Sequence, residues 1–158
     1  MPTITPFLWF DDQAERAAEF YLSVFPDARI THVQRNPEGG PGEPGAALVV
    51  GVELQGQQLS FLNGGPSQQL SEAFSLVVNC EGPQEVDHSW DGLLADGGAP
   101  HACGWLKDRF GLSWQVVPGE LLRLMADPDP VKAGAVVGAM LQMVKIDVAA
   151  LQAAYDAA

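Results

Sequence analysis

The chain has 158 residues, enough to bury a real hydrophobic core without disulfide or metal staples. Eight Lys and Arg stand against 20 Asp and Glu, a formal charge of -12, so its field repels phosphate backbones and anionic lipid, and neither nucleic acid nor a membrane is expected as a partner. With 47% hydrophobic and 18% charged residues, the composition is that of a folded protein and excludes a disordered acidic tail.

At the N-terminus, Met1-Pro2-Thr3 lacks a basic stretch followed by an apolar one, so no secretory leader is read there. Residues 4–10 are an apolar, aromatic-rich run closed by Asp11-Asp12, which reads as a buried strand handing over to a helix with an aspartate at its cap. From Gln13 on, Ala14, Ala17, Ala18, Tyr21, Leu22 and Phe25 recur at helical spacing opposite Glu15, Arg16 and Glu19, and Pro26-Asp27 ends the pattern. Strands are expected over 28–34, 46–54 and 57–63, with a Gly/Pro-rich loop over 36–45 between the first two.

The same order then recurs. Residues 74–80 read as a strand, Glu81-Gly82-Pro83 as a helix start, and Val86, Trp90, Leu93 and Leu94 as a helical stripe that stops at Gly97-Gly98. Strands are expected over 101–103, 105–107 and 112–117, the last two joined by the turn Asp108 to Gly111. Two opening strands about 70 residues apart are the mark of an internal duplication. The expected fold is therefore α+β, with two βαβββ modules (4–63 and 74–118) forming a curved mixed sheet within a single domain, 1–158.

Residues 119–158 are purely helical in pattern. Leu121, Leu122, Leu124 and Met125 precede a break and cap at Asp127-Pro128-Asp129-Pro130, a second stripe covers 131–143, and a short alanine-rich helix or turn covers 151–157. The stretch 131–144 is interrupted by Lys132, Gly134, Gly138 and Gln142 and is far short of the roughly 20 apolar residues of a membrane span. This appendage must bury its apolar side on its own sheet or on a dimer partner.

A duplicated strand-helix-three-strand unit is the architecture of the vicinal oxygen chelate superfamily, the glyoxalase/bleomycin resistance/dioxygenase fold. Residues 4–10 with Phe20-Tyr21, the turn Asn63-Gly64-Gly65-Pro66, Asn79-Cys80-Glu81, Cys103-Gly104-Trp105-Leu106-Lys107-Asp108, Ser113-Trp114-Gln115, and Ala139-Met140 to Lys145-Ile146-Asp147 resemble the PhnB-like group within it. That group carries the designation 3-demethylubiquinone-9 3-methyltransferase, and the resemblance spans nearly the whole chain. It implies a homodimer and, in the superfamily's enzymes, metal ligands on the first and last strands of each module. Rival readings are a superfamily enzyme (lyase, dioxygenase, or methyltransferase) and a drug-sequestering resistance protein.

Carried onto this sequence, the ligand positions fall at Pro6, Ser60, Phe74 and Gln115, a set that cannot make the three-donor site a divalent metal needs. A one-residue slip offers Thr5, Phe61, Ser75 and Trp114, or Phe7, Leu59 and Thr3, which is no better. His32, His88 and His101 lack the spacing of adjacent ligands. For a methyl donor, a glycine-rich strand-turn-helix cradle is needed, and Gly39, Gly40, Gly42 and Gly45 lie instead among prolines between strands. No metal and no cofactor are expected.

Alternation of side chains puts Pro6, Leu8 and Phe10, Ser60 and Leu62, Phe74, Leu76 and Val78, and Ser113, Gln115 and Val117 on one concave face, with Phe7, Trp9, Phe61, Val77, Trp114 and Val116 beneath the helices. The candidate small-molecule site is accordingly Leu8, Phe10, Ser60, Leu62, Phe74, Cys103, Trp105 and Gln115, an apolar cup with a few neutral hydrogen-bonding groups. Cys103 beside Gly104-Trp105 could be a nucleophile or a small buried hydrophobe, and no neighbouring base is evident. Two cysteines, Cys80 and Cys103, are too few for a disulfide scaffold and fit a reduced, cytoplasmic protein. Nine of the acids sit on or cap the two repeated helices, and the first and last strands of each module carry none, so the expected ligand is small, neutral and mostly apolar.

Overall fold

In the computed structural model, which describes residues 1–158, the first aromatic run pairs as a strand only over Phe7–Phe10, β1. The chain then enters helix α1 (Ala14–Val24), whose buried side is Ala14, Ala17, Ala18, Phe20, Tyr21 and Val24. Three alanines on that side let the helix lie close to the sheet. No aspartate caps it. The Ala14 amide donates to Asn63 Oδ1 at 2.8 Å and Asn63 Nδ2 donates to the Ala47 carbonyl at 3.0 Å, so one side chain from the end of a later strand satisfies the helix start and ties it to the sheet.

Strands β2 (Ala28–Arg35), β3 (Ala47–Leu54) and β4 (Gln57–Asn63) follow as expected. They form a sheet of order β1-β4-β3-β2 in which β1 runs parallel to β4 and the other pairs are antiparallel. The parallel pair requires a crossover, which α1, β2 and β3 supply. Phe61 anchors the core, with ring centroids 5.1 Å from Phe10 and 5.8 Å from Tyr21.

The second half repeats the scheme with β5 (Ser75–Cys80), α2 (Pro83–Leu94), β6 (Ala99–Pro100), β7 (Trp105–Lys107) and β8 (Ser113–Pro118), ordered β5-β8-β7-β6 with β5 parallel to β8. The duplication therefore holds at the level of topology. It fails at one strand. In place of a strand over 101–103 there is a two-residue β6 and a 3-10 turn, Ala102–Gly104. Cys103 has φ +59° and Gly104 φ +80°, left-handed backbone that cannot continue an extended ladder.

That turn receives the C-terminal segment. The Cys103 and Gly104 amides donate to the carbonyls of Met143 (2.8 Å) and Val144 (2.7 Å). Helices α3 (Gly119–Met125), α4 (Pro130–Met140) and α5 (Val148–Asp156) pack around Leu121, Leu124, Val136, Ile146 and Leu151, joined by Val117 of β8. The appendage thus buries its apolar side within its own chain. Asp129 and Asp147 cap α4 and α5, accepting from the amides of Val131 (2.9 Å) and Ala150 (3.0 Å). Residues group into two compact units, 1–71 and 72–158. No helix is long and apolar enough to cross a membrane.

Candidate functional site

Each sheet has one face under its helix and one more open face, closed in the second unit only at the end of β8, where Val117 meets the appendage, and strand register decides which residue belongs to which. In the first unit Leu8 pairs with Phe61 and Phe10 with Asn63, and Leu8, Phe10, Leu59 and Phe61 are all buried. Leu8 and Phe10 are therefore core side chains on the α1 side and not cup residues. The open face carries Phe7 and Trp9 opposite Ser60 and Leu62, the last three half-buried. The expected alternation is right for β4 and one residue out for β1. Trp9 lies across Gly64, where any Cβ would collide with the indole, and its Nε1 donates to the Gly65 carbonyl at 2.8 Å.

The second unit repeats this displacement. Leu76 pairs with Trp114 and Val78 with Val116 on the α2 side, whereas Ser75 pairs with Ser113 and Val77 with Gln115 on the open face. Phe74 precedes β5 and is exposed. β1 is apolar on both faces, so hydrophobic alternation gives no parity there and pairing sets the register; in β5, Ser75 and Asn79 mark the open face opposite Leu76, Val78 and Cys80, and a register counted from Phe74 passes over them.

On that open face the structure does assemble two expected residues, because Trp105 is the cross-strand partner of Gln115. It adds others. Gln115 Nε2 donates to Ser75 Oγ at 2.9 Å, and Lys107 is the cross-strand partner of Ser113. Ser113 is 2% exposed and its hydroxyl has no hydrogen-bond partner. Lys107 Nζ is ion-paired with Glu72, and the ammonium beside it holds the Glu72 carboxyl below the usual range. The signal for Lys107 is present in the sequence: it lies two residues beyond Trp105 on a strand and must share its face. Nothing comparable marks Glu72, which reaches the site from outside any strand.

Cys103 is half-buried in the 3-10 turn, and Cys80 is buried against the Ser89 hydroxyl; both thiols are free. Burial pushes the Cys80 thiol up, away from reactive thiolate. His32, His88 and His101 are exposed, and no group of three or more His, Cys, Asp or Glu side chains is placed to hold a metal ion. Ser60 and Gln115, the donors at the ligand positions that the resemblance implies, do not fit a divalent metal. The glycine-rich loop 36–45 joins antiparallel β2 and β3 and leads into no helix, so it does not fit a methyl-donor cradle either.

A cavity of about 600 Å³ in this unit lies away from that face, between the start of α2 and the start of α5, and is lined in part by Val86, Asp87, Lys145, Ile146 and Val148. Lys145 there pairs with Asp87 and, at 3.7 Å, with Asp91, and the two carboxylates raise its pKa.

The family model described as 3-demethylubiquinone-9 3-methyltransferase matches residues 2–117, ending inside β8. A structure of a PhnB protein from Bacillus cereus with the same designation is 32% identical, aligned over 75% of this chain and 100% of that one, with a TM-score of 0.67. A Pseudomonas aeruginosa protein (19% identity, 75% and 98% coverage, TM-score 0.59) and a Bacillus cereus structure described as a "possible Glyoxalase" (16%, 74% and 98%, TM-score 0.51) share the fold. No curated protein matches the chain.

Proposed function

The chain belongs to the 3-demethylubiquinone-9 3-methyltransferase (PhnB-like) family, and from this and the second sheet we propose that it binds a small, largely apolar molecule without a divalent metal. The observation that carries the reading is the open face where Trp105, Gln115 and Ser75 meet beside an unpartnered Ser113 hydroxyl. An aromatic plate with a few convergent polar groups is how small-molecule sites are lined. The one cation there, Lys107, is balanced by Glu72, so the face does not favour a cationic drug as an acidic wall would.

The test is a thermal-shift screen of small molecules against the intact chain and Gln115→Phe, which fills the face. A ligand that stabilises the parent should leave the variant unmoved; equal stabilisation of both would sink the reading. The residues on this face form no methyl-donor cradle, so methyl transfer is not part of the proposal. If S-adenosylmethionine together with a quinone stabilised the chain, the family's designation would take precedence over binding alone.

We also propose a cytoplasmic homodimer. Support comes from the free cysteines and from exposed apolar side chains on the helical appendage, Leu122, Val131, Leu141 and Val144. Analytical ultracentrifugation at micromolar concentration should show twice the 16.8 kDa chain mass, and a monomer there overturns the dimer.

A further inference from the structure

Ser113 sits in β8 between Ser75 of β5 and Lys107 of β7, its partner on either side, and all three side chains share the open face. Glu72, three residues before Ser75, reaches Lys107. Strands lie about 4.8 Å apart, so Lys107 and Ser113, directly opposed on β7 and β8, bring their side chains to one place. The Glu72–Lys107 pair thus lies next to a buried hydroxyl that nothing satisfies. Glu72 is 65% exposed and belongs to no strand, whereas Lys107 is 34% exposed and fixed in β7. The carboxylate end is the one free to leave.

Resting on the ligand site proposed above, we propose that its ligand is a monocarboxylate: the ligand's carboxylate replaces Glu72 on Lys107 and accepts from the Ser113 hydroxyl, while its apolar body lies against Trp105. The donors decide the class. Lys107 and Ser113 both offer protons at one place, and a carboxylate, with two oxygens and about four acceptor sites, serves both. A neutral carbonyl has less to offer than the Glu72 carboxylate it would compete with, an ammonium is repelled by Lys107, and a dianion is disfavoured by the chain's charge of -12.

Benzoate, benzamide and benzylammonium titrated calorimetrically into the intact chain and its variants test this. Benzoate should bind at least tenfold more tightly than the other two. Glu72→Gln removes the competitor and should tighten benzoate severalfold while leaving benzamide unchanged; Asp27→Asn, which removes the same charge from the first unit, should change neither. Lys107→Gln should abolish the preference, and Ser113→Ala should weaken benzoate without lowering the melting temperature of the free protein, because the lost hydroxyl had no partner. Equal binding of benzoate and benzamide, or a preference that survives Lys107→Gln, overturns the proposal. Silence of all three probes while the screen against Gln115→Phe is positive overturns the monocarboxylate alone, and a negative screen overturns the site beneath it.

Discussion

Gly104 shows how one residue couples the PhnB-like motif to the appendage. Its φ is +80°, and a Cβ there would meet the Val116 carbonyl oxygen at 2.8 Å and Ile146 Cγ1 at 2.9 Å. Gly104→Ala should therefore cost about 2 kcal/mol in urea unfolding, combining backbone strain with displacement of Ile146. Asp108 is the second such residue. It is 3% exposed, and its carboxylate accepts from the amides of Phe110 (2.8 Å) and Leu112 (3.1 Å) and from Trp114 Nε1 (2.8 Å). Asp108→Asn sets an amide N–H against at least one of these donors, and a loss of about 2 kcal/mol is expected, with a shift of the Trp114 indole proton in NMR. Neither role is legible in the sequence as such. Cys103-Gly104-Trp105 stands out as a motif because of the thiol, but it is the glycine beside it that holds the turn against Ile146. Asp108 reads as a turn-shaping residue, and its hold on Trp114 depends on a β8 side chain facing back to the turn, which spacing alone does not give.

At the scale of elements, the helices and most strands can be read directly, because helical stripes and Gly/Pro punctuation are local signals. What cannot be read is parity in β1 and the shortness of β6, whereas in β5 the polar Ser75 and Asn79 do mark one face. Parity in β1 depends on pairing with β4, and β6 depends on a C-terminal segment about 40 residues further on that takes the Cys103 and Gly104 amides. Ile146, 3% exposed, is the apolar anchor of that segment, and Ile146→Ala should cost about 3 kcal/mol as a buried large-to-small change. The far end of the appendage has a pH-dependent clasp. Tyr155 donates to Asp127 Oδ2 at 2.6 Å, which lowers the Asp127 pKa and raises that of Tyr155. The lowered carboxyl gives stability present above its unfolded pKa of about 3.9 and lost as pH falls through the folded value; the raised phenol gives stability present below about 10 and lost as pH rises through its folded value. The melting-temperature difference between the parent and Tyr155→Phe should be flat at neutral pH and shrink at both extremes. A difference independent of pH would assign the clasp to packing alone.

For the molecule as a whole, charge sets the last expectation. Residues 1–71 carry eight acids and three bases, residues 72–158 twelve and five, so both units are negative in their own right. Six of the eight cations are already in ion pairs, with Asp12, Glu53, Glu15, Glu72, Asp96 and the Asp87–Asp91 couple. Those pairs are largely solvent-exposed, and each contributes little. Acids still outnumber bases by 12, and that excess repels itself. Salt weakens both effects, and the repulsion is the larger because it sums over many pairs within about a Debye length. Raising sodium chloride from about 20 to about 200 mM, which shortens that length from roughly 20 to below 10 Å, should therefore raise the melting temperature by about 3 °C or more. Chloride is the salt to use, since sulfate stabilises folded proteins through exclusion regardless of their charge. A fall in melting temperature on adding chloride would mean that the ion pairs, Glu72–Lys107 among them, outweigh the repulsion, and that the acidic exterior costs the fold less than its sequence charge implies.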